Sequence, residues 1–166
     1  MHSGKLIAVS DKSGHTISIL QEIFRLSGRA HFRAARVGEA KLPDEQPTVL
    51  LLCDGVIPDH AAEFEICVAE FETVNNSALS ALSPVTYSLS SDSADFTARN
   101  IRLTQENCLA FELVVVGVIG RVKLMTGGAQ WAKESLAAAA AACAAGVPFA
   151  ETLDALNRMD FTGVKN

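Results

Sequence analysis

The run Lys5–Ser10, KLIAVS, is apolar on successive positions and lies between Gly4 and the polar stretch Asp11-Lys12-Ser13-Gly14. That pattern predicts a buried strand followed by a turn. In the next segment Ile17, Leu20, Ile23, Phe24 and Leu26 recur at near-helical spacing, and Gly28 sits where a helix stops. The run Thr48–Cys53, TVLLLC, follows Pro43 and Pro47 and is apolar on both faces, which predicts a central strand with helices on both sides. Between Ile57 and Ser83 the alternation at Phe64, Ile66 and Val68 slips, so strand and helix both remain open, with strand ahead.

Further along, Pro84–Leu89 reads as a strand and Ser90–Asp92 as a turn. Strands at Ala98–Leu103, Cys108–Ile119 and Arg121–Met125 are separated by Gln105-Glu106-Asn107 and by Gly120, which predicts an antiparallel meander. The chain closes on a helix from about Ala129 to Ala145, stopped by Gly146, and a last helix over about Pro148–Met159. The alanine run Ala137–Ala142 reads as a tightly packed helix, with Leu136, Ala140 and Cys143 toward the core. This order of elements predicts an α/β three-layer domain of the phosphate-loop type over residues 1–166. Its parallel core would surround residues 5–10 and 48–53, and its antiparallel extension would span about 85–125.

Composition narrows the function classes. With 166 residues, 49% apolar and 20% charged, the chain can bury a core of its own. A net charge of −5 argues against a nucleic-acid partner. No segment has the length of a membrane span or the pattern of a secretory signal. Cys53, Cys67, Cys108 and Cys143 have no metal spacing and read as free thiols in a reducing compartment, which implies a cytoplasmic protein. Charge is uneven: residues 1–41 sum to +4, residues 42–116 to −10 and residues 117–166 to +1. The acidic side chains Glu63, Glu65, Glu70 and Glu72 are expected on the solvent side rather than around a metal, since four converging carboxylates repel. His31, among arginines in a basic loop or strand, reads as solvated.

Three separated segments resemble the central ATP-binding domain of the Mur ligase superfamily. Ser10-Asp11-Lys12-Ser13-Gly14-His15-Thr16 stands where the family has its glycine-rich TGTNGKT loop. Tyr87, Asp95, Ala98, Asn100 and Ile101 match the family's hairpin region. Gly128, Leu136, Ala137, Ala138, Gly146, Val147, Leu156, Phe161, Gly163 and Val164 match its closing segment. The resemblance covers most of the chain, is poor in the middle, and implies a stand-alone central domain.

The family couples ATP to amide-bond formation, so the resemblance assigns Ser13, Gly14, His15 and Thr16 to a phosphate loop and Thr16 and Asp54 to magnesium. The loop departs from the pattern at the groups that carry charge. His15 replaces the lysine that would hold phosphate, and Asp11 replaces the first glycine, bringing a negative charge. On the residues alone the run also reads as a polar strand-to-helix turn capped by Ser10, Asp11 or Ser13. Trp131 and Glu134 replace the two asparagines that face the adenine, and Trp131 reads as a packing residue more readily than a base platform. No lysine lies between Lys41 and Lys123 to serve as the family's carbamylated lysine, and Asp59-His60 comes too early to be its Asp-His motif.

The function expected from this is a non-catalytic, degenerate Mur-ligase-like domain with a binding or regulatory role linked to cell-wall peptide ligation. No catalytic residue and no cofactor are expected, and a protein partner or a second copy of the chain is. The alternative is a component of an ATP-dependent amide ligase, binding ATP and magnesium, whose remaining domains come from a partner chain. A fragment of a longer protein is the third reading.

Overall fold

The computed structural model describes residues 4–75, 77–125, 128 and 130–160. The chain order is β1 (Gly4–Ser10), α1 (His15–Leu26), β2 (Phe32–Arg36), β3 (Glu45–Leu52), β4 (Ile66–Glu70), the single turn α2 (Ser77–Ser80) and β5 (Val85–Ser88). Then come β6 (Phe96–Leu103), β7 (Leu109–Val115), β8 (Val118–Leu124), α3 (Trp131–Ala145) and α4 (Phe149–Arg158). All eight strands form one sheet in the order β2-β1-β3-β4-β5-β6-β7-β8. Pairing is parallel from β2 through β6, and antiparallel for β6–β7 and β7–β8. Ile7–Val9 lie beside Val49–Leu51 in parallel register.

Alternation along the central strands feeds two apolar layers. Ile7, Val9, Val49, Leu51, Val68 and Tyr87 pack with α1, α3 and α4 on one face. Ala8, Leu50, Leu52 and Ala69 pack with Leu79 of α2 on the other. The sequence reading expects helices on both sides, but among the described residues the second face carries loops, the single turn α2 and two 3-10 turns at Ala61–Glu63 and Phe71–Thr73, and the long helices all lie on the first. Helix α3 runs against the sheet with α1 and α4 beside it. Its alanines 137–142 are all buried, because a methyl side chain lets the helix backbone come close on every side. Leu136 and Ala140 are fully buried, while Cys143 is half-buried against the core. Gly146, left-handed at φ 110°, ends the helix.

Two boundaries differ from the sequence reading. The antiparallel extension begins at Phe96, not near residue 85, because β5 pairs parallel with both β4 and β6. The turn between β7 and β8 falls at Val116-Gly117, where Gly117 takes φ 80°, and not at Gly120. Gly120 lies inside β8, where a Cβ would come within 2.6 Å of Leu153 and 3.2 Å of Phe149. Its missing side chain lets α4 seat on the strand. The three strands read as 98–103, 108–119 and 121–125 are therefore 96–103, 109–115 and 118–124. Gly127, Ala129, Phe161, Gly163 and Val164, on which part of the sequence reading rests, lie outside the described residues, as does His2.

Both edges of the sheet are blunted by side chains. Gln21 Nε2 donates to the Ala34 carbonyl of β2 at 3.0 Å. On β8, Asn157 of α4 accepts from the Lys123 N–H at 2.8 Å and donates to the Arg121 carbonyl at 3.0 Å. Open edge groups invite strand pairing with another chain. Asn157→Ala is expected to lose about 1–2 kcal/mol of stability through these two bonds and to raise self-association. Chemical denaturation and sedimentation velocity read the two effects.

One carboxylate is buried at the amino end of the sheet. Arg33 grips Glu45 with bonds of 2.6 and 2.8 Å, and the Leu42 N–H adds one of 2.9 Å. The Arg33 hydrogen bonds hold the Glu45 carboxyl below its usual range. The unfolded chain therefore takes up this proton at higher pH than the folded one. The stabilisation is complete above about pH 4.3, the ordinary glutamate value, and is lost as pH falls through the folded value. Glu45→Gln is expected to flatten the acid limb of a stability–pH curve while lowering stability at pH 7.

Candidate functional site

The sheet reverses its winding between β1 and β3. From β1 the chain passes through α1 to β2 on one side, and β3 then lies on the other side. In open α/β sheets ligands sit outside the carboxyl ends of the strands at such a point. Here those ends carry Ser10-Asp11, Cys53-Asp54 and, one strand on, Glu70. Ser10, Asp11, Lys12, Arg36 and Asp54 line an open cleft of about 290 Å³.

The loop between β1 and α1 is organised around Asp11. Its carboxylate accepts the Thr16 N–H at 3.0 Å and the Ser13 N–H at 3.2 Å, and the Ser13 hydroxyl also donates to it at 3.2 Å. Ser13 Oγ accepts the His15 N–H at 3.1 Å. The His15 and Thr16 amides at the start of α1, where a phosphate loop forms an anion cradle, are thus taken by the chain's own oxygens. Asp11 and Ser13 act as the local caps, whereas Ser10 turns away to Asp54. Gly14 is left-handed at φ 80°, and a Cβ there would lie 3.0 Å from the Arg36 guanidinium. Arg36 Nη1 donates to the Asp11 carbonyl at 2.8 Å, tying the loop to the end of β2.

His15 sits under the first turn of α3. Its ring lies 4.9 Å from the Trp131 ring, and Nδ1 lies 3.3 Å from a Glu134 carboxylate oxygen. Burial pushes the Glu134 carboxyl up, with His15 acting against the shift and Asp11 adding to it. Lys133 on the same turn pairs with Glu70 at 2.5 Å. Contacts from Trp131, Lys133 and Glu134 therefore fasten α3 over the carboxyl end of the sheet. Trp131 is buried and packs, as its sequence setting suggested.

The proposed metal residues are engaged elsewhere. Asp54 receives the Ser10 hydroxyl at 2.8 Å on both oxygens and the Val56 N–H at 3.0 Å. Thr16 is buried with its hydroxyl beside the Cys53 thiol, which burial pushes up to about 12 against the Tyr87 and Thr16 hydroxyls. Cys53 is consequently a protonated, unreactive thiol at neutral pH. Glu63, Glu65 and Glu72 are exposed as expected, and Glu72 accepts the Ser88 hydroxyl at 2.6 Å, whereas Glu70, expected on the solvent side with them, is largely covered in its pair with Lys133. No group of three or more His, Cys, Asp or Glu side chains is placed to hold a metal among the described residues. Asp59 and His60 lie on the thinly covered face, lining a cavity with Leu6, Arg36 and Leu50.

Arg36, Glu70 and Cys53 were not singled out as site residues from the sequence. Arg36 carries no motif, and Glu70 and Cys53 are marked only by their place at strand ends. The inward turn of Asp11 did have a signal: an Asp two residues before a Ser N–H is an Asx-turn pattern.

The chain has the fold of a Mur ligase domain. It superposes on MurF from Acinetobacter baumannii with a TM-score of 0.70 and 16% identity, over 95% of this chain and 46% of that one. It superposes on UDP-N-acetylmuramate-alanine ligase MurC from Thermotoga maritima with a TM-score of 0.63 and 14% identity, over 93% and 44%. For UDP-N-acetylmuramate:L-alanyl-gamma-D-glutamyl-meso-diaminopimelate ligase from Neisseria meningitides the values are 0.62 and 14%, over 99% and 68%. The chain thus spans a little under half the length of the first two. At these identities the likeness is one of fold. No family model and no curated protein matches the sequence.

The fold implies ATP and magnesium, and the loop residues do not fit them. A phosphate oxygen would have to displace the Asp11 carboxylate from Thr16 N–H and lie beside its charge, with His15 held by Trp131 and Glu134 rather than free to reach it.

Proposed function

We propose that this chain is a non-catalytic Mur-ligase-like domain with a binding or regulatory role in the cytoplasm, in a system related to cell-wall peptide ligation. The observation that carries the proposal is the Asp11 carboxylate on the amides of Thr16 and Ser13. An internal anion occupies the position where catalysis of phosphoryl transfer would need the substrate's own, and it cannot dissociate. The closure by His15, Lys133, Trp131 and Glu134 supports the same reading. The link to cell-wall ligation rests on the ligases whose structures share the fold.

Thermal denaturation with excess Mg–ATP tests the proposal. A ligand at 100 times its Kd adds about 2.7 kcal/mol to stability. No shift in Tm is expected at millimolar Mg–ATP. A shift of that size would favour a ligase component that retains its nucleotide site.

A further inference from the structure

The antiparallel extension carries a second concave surface, at the other end of the sheet from β1 and its loop. A bulge in β6 breaks its register with β7 between Arg99 and Arg102: Arg99 faces Glu112, and Arg102 faces Ala110. Within the bulge Asn100 takes the left-handed conformation, φ 56°. Residues three apart on a regular strand point to opposite faces. The extra residue places Arg102 on the same face as Arg99, where a regular strand would have put Ile101.

On β8, Lys123 faces Ala110 and Arg121 faces Glu112. Two rows therefore cross the three strands on one face. One row reads Arg99, Glu112, Arg121, and the other reads Arg102, Ala110, Lys123. The short alanine between two long cationic side chains leaves a hollow. Asn100, Arg102, Ala110, Glu112, Arg121 and Lys123 contribute to its lining, and its volume is about 530 Å³. That lies within the range of about 300–1,000 Å³ typical of small-molecule sites.

We infer that this hollow is a binding site for the phosphate monoester of a polyhydroxylated small molecule, with the phosphate over Ala110 between Arg102 and Lys123. Neighbouring strands lie about 4.8 Å apart, so the backbones of Arg102 and Lys123 are separated by about 10 Å. A tetrahedral oxyanion with a charge-assisted bond of about 2.7–2.9 Å on each side spans that gap. Arg121 adds a third cation. Glu112, one row away, repels a second phosphate and accepts hydroxyl donors, while the Asn100 amide offers both a donor and an acceptor. In the free protein Arg102 donates to the Asn100 carbonyl at 2.8 Å, and Lys123 lies 3.6 Å from Glu106 in an exposed pair. Both contacts are local and replaceable by a more highly charged acceptor.

The test is an amide NMR titration of the whole chain at low salt with glucose 6-phosphate, inorganic phosphate, glucose and a poly-glutamate peptide. Glucose 6-phosphate is expected to move the amides of residues 100–104, 110–112 and 121–123 saturably, with a Kd at or below about 1 mM. Inorganic phosphate should bind at the same amides about tenfold more weakly, and glucose should not bind. Arg102→Gln and Lys123→Gln should each weaken binding by tenfold or more, since a charge-assisted bond is worth about 1.5–3 kcal/mol. Ala110→Leu, which removes no charge but fills the hollow, should abolish it. No saturable shift, equal binding of inorganic phosphate, preference for poly-glutamate, or shifts centred on Thr16 would each overturn the inference. The outcome is independent of whether the loop binds ATP.

Discussion

The double substitution Asp11→Gly with His15→Lys is expected to create Mg–ATP binding that the native chain is expected to lack. Removing the Asp11 carboxylate frees the Thr16 and Ser13 amides, now engaged at 3.0 and 3.2 Å, and removes a negative charge from the phosphate position. Lysine at position 15 adds a cation long enough to reach a phosphate, and such a contact is worth about 1.5–3 kcal/mol. The exposed end of α1 contributes about 0.3–1 kcal/mol more. Against this, losing the cap costs the unliganded variant about 0.5–2 kcal/mol, and replacing His15 gives up its contact with Trp131. The variant alone should therefore melt lower than the native chain, and it should recover as Mg–ATP is added. The native chain should show neither change. A native shift with no gain in the variant would mean that the cradle works with Asp11 in place.

Trp131→Ala should cost about 3–5 kcal/mol, the usual price of deleting a large buried aromatic. Trp131 is 3% exposed, belongs to the main apolar cluster and starts the helix that fastens over the loop. Its loss removes the ring against His15 and leaves the Glu134 carboxyl more open to water. A base-stacking platform would be exposed in the free protein, and its removal would cost little stability. Urea denaturation separates the two roles, and the single tryptophan should emit at short wavelength in the native chain. A loss below about 1 kcal/mol would contradict the packing role, because exposed substitutions usually stay within about ±0.5 kcal/mol.

The sequence pattern located most strands and the three long helices, because burial imposes period and Gly28 and Gly146 mark helix ends, but it left β2 and β4 open and missed the single turn α2. It also placed β1 beside β3 in parallel and the last three strands in an antiparallel meander, but not the partners of β5. That β5 pairs parallel with β6 across residues 89–95 depends on register with β4, which no local pattern encodes. Gly117 and Gly120 look alike in sequence. One is needed for a left-handed turn and the other for the space it leaves to Leu153, a difference only packing reveals. At the site, the loss of the phosphate-loop lysine and the added charge of Asp11 were legible. The meeting of His15 with Glu134 across 119 positions was not.

The most direct test is the Thr16 amide signal followed by NMR as Mg–ATP is titrated into the native chain. With the Asp11 carboxylate seated on that N–H, the signal should stay in place through millimolar nucleotide. A saturable movement of the Thr16 signal, matched by those of Ser13 and His15, would show phosphate entering the cradle and would contradict the closed site.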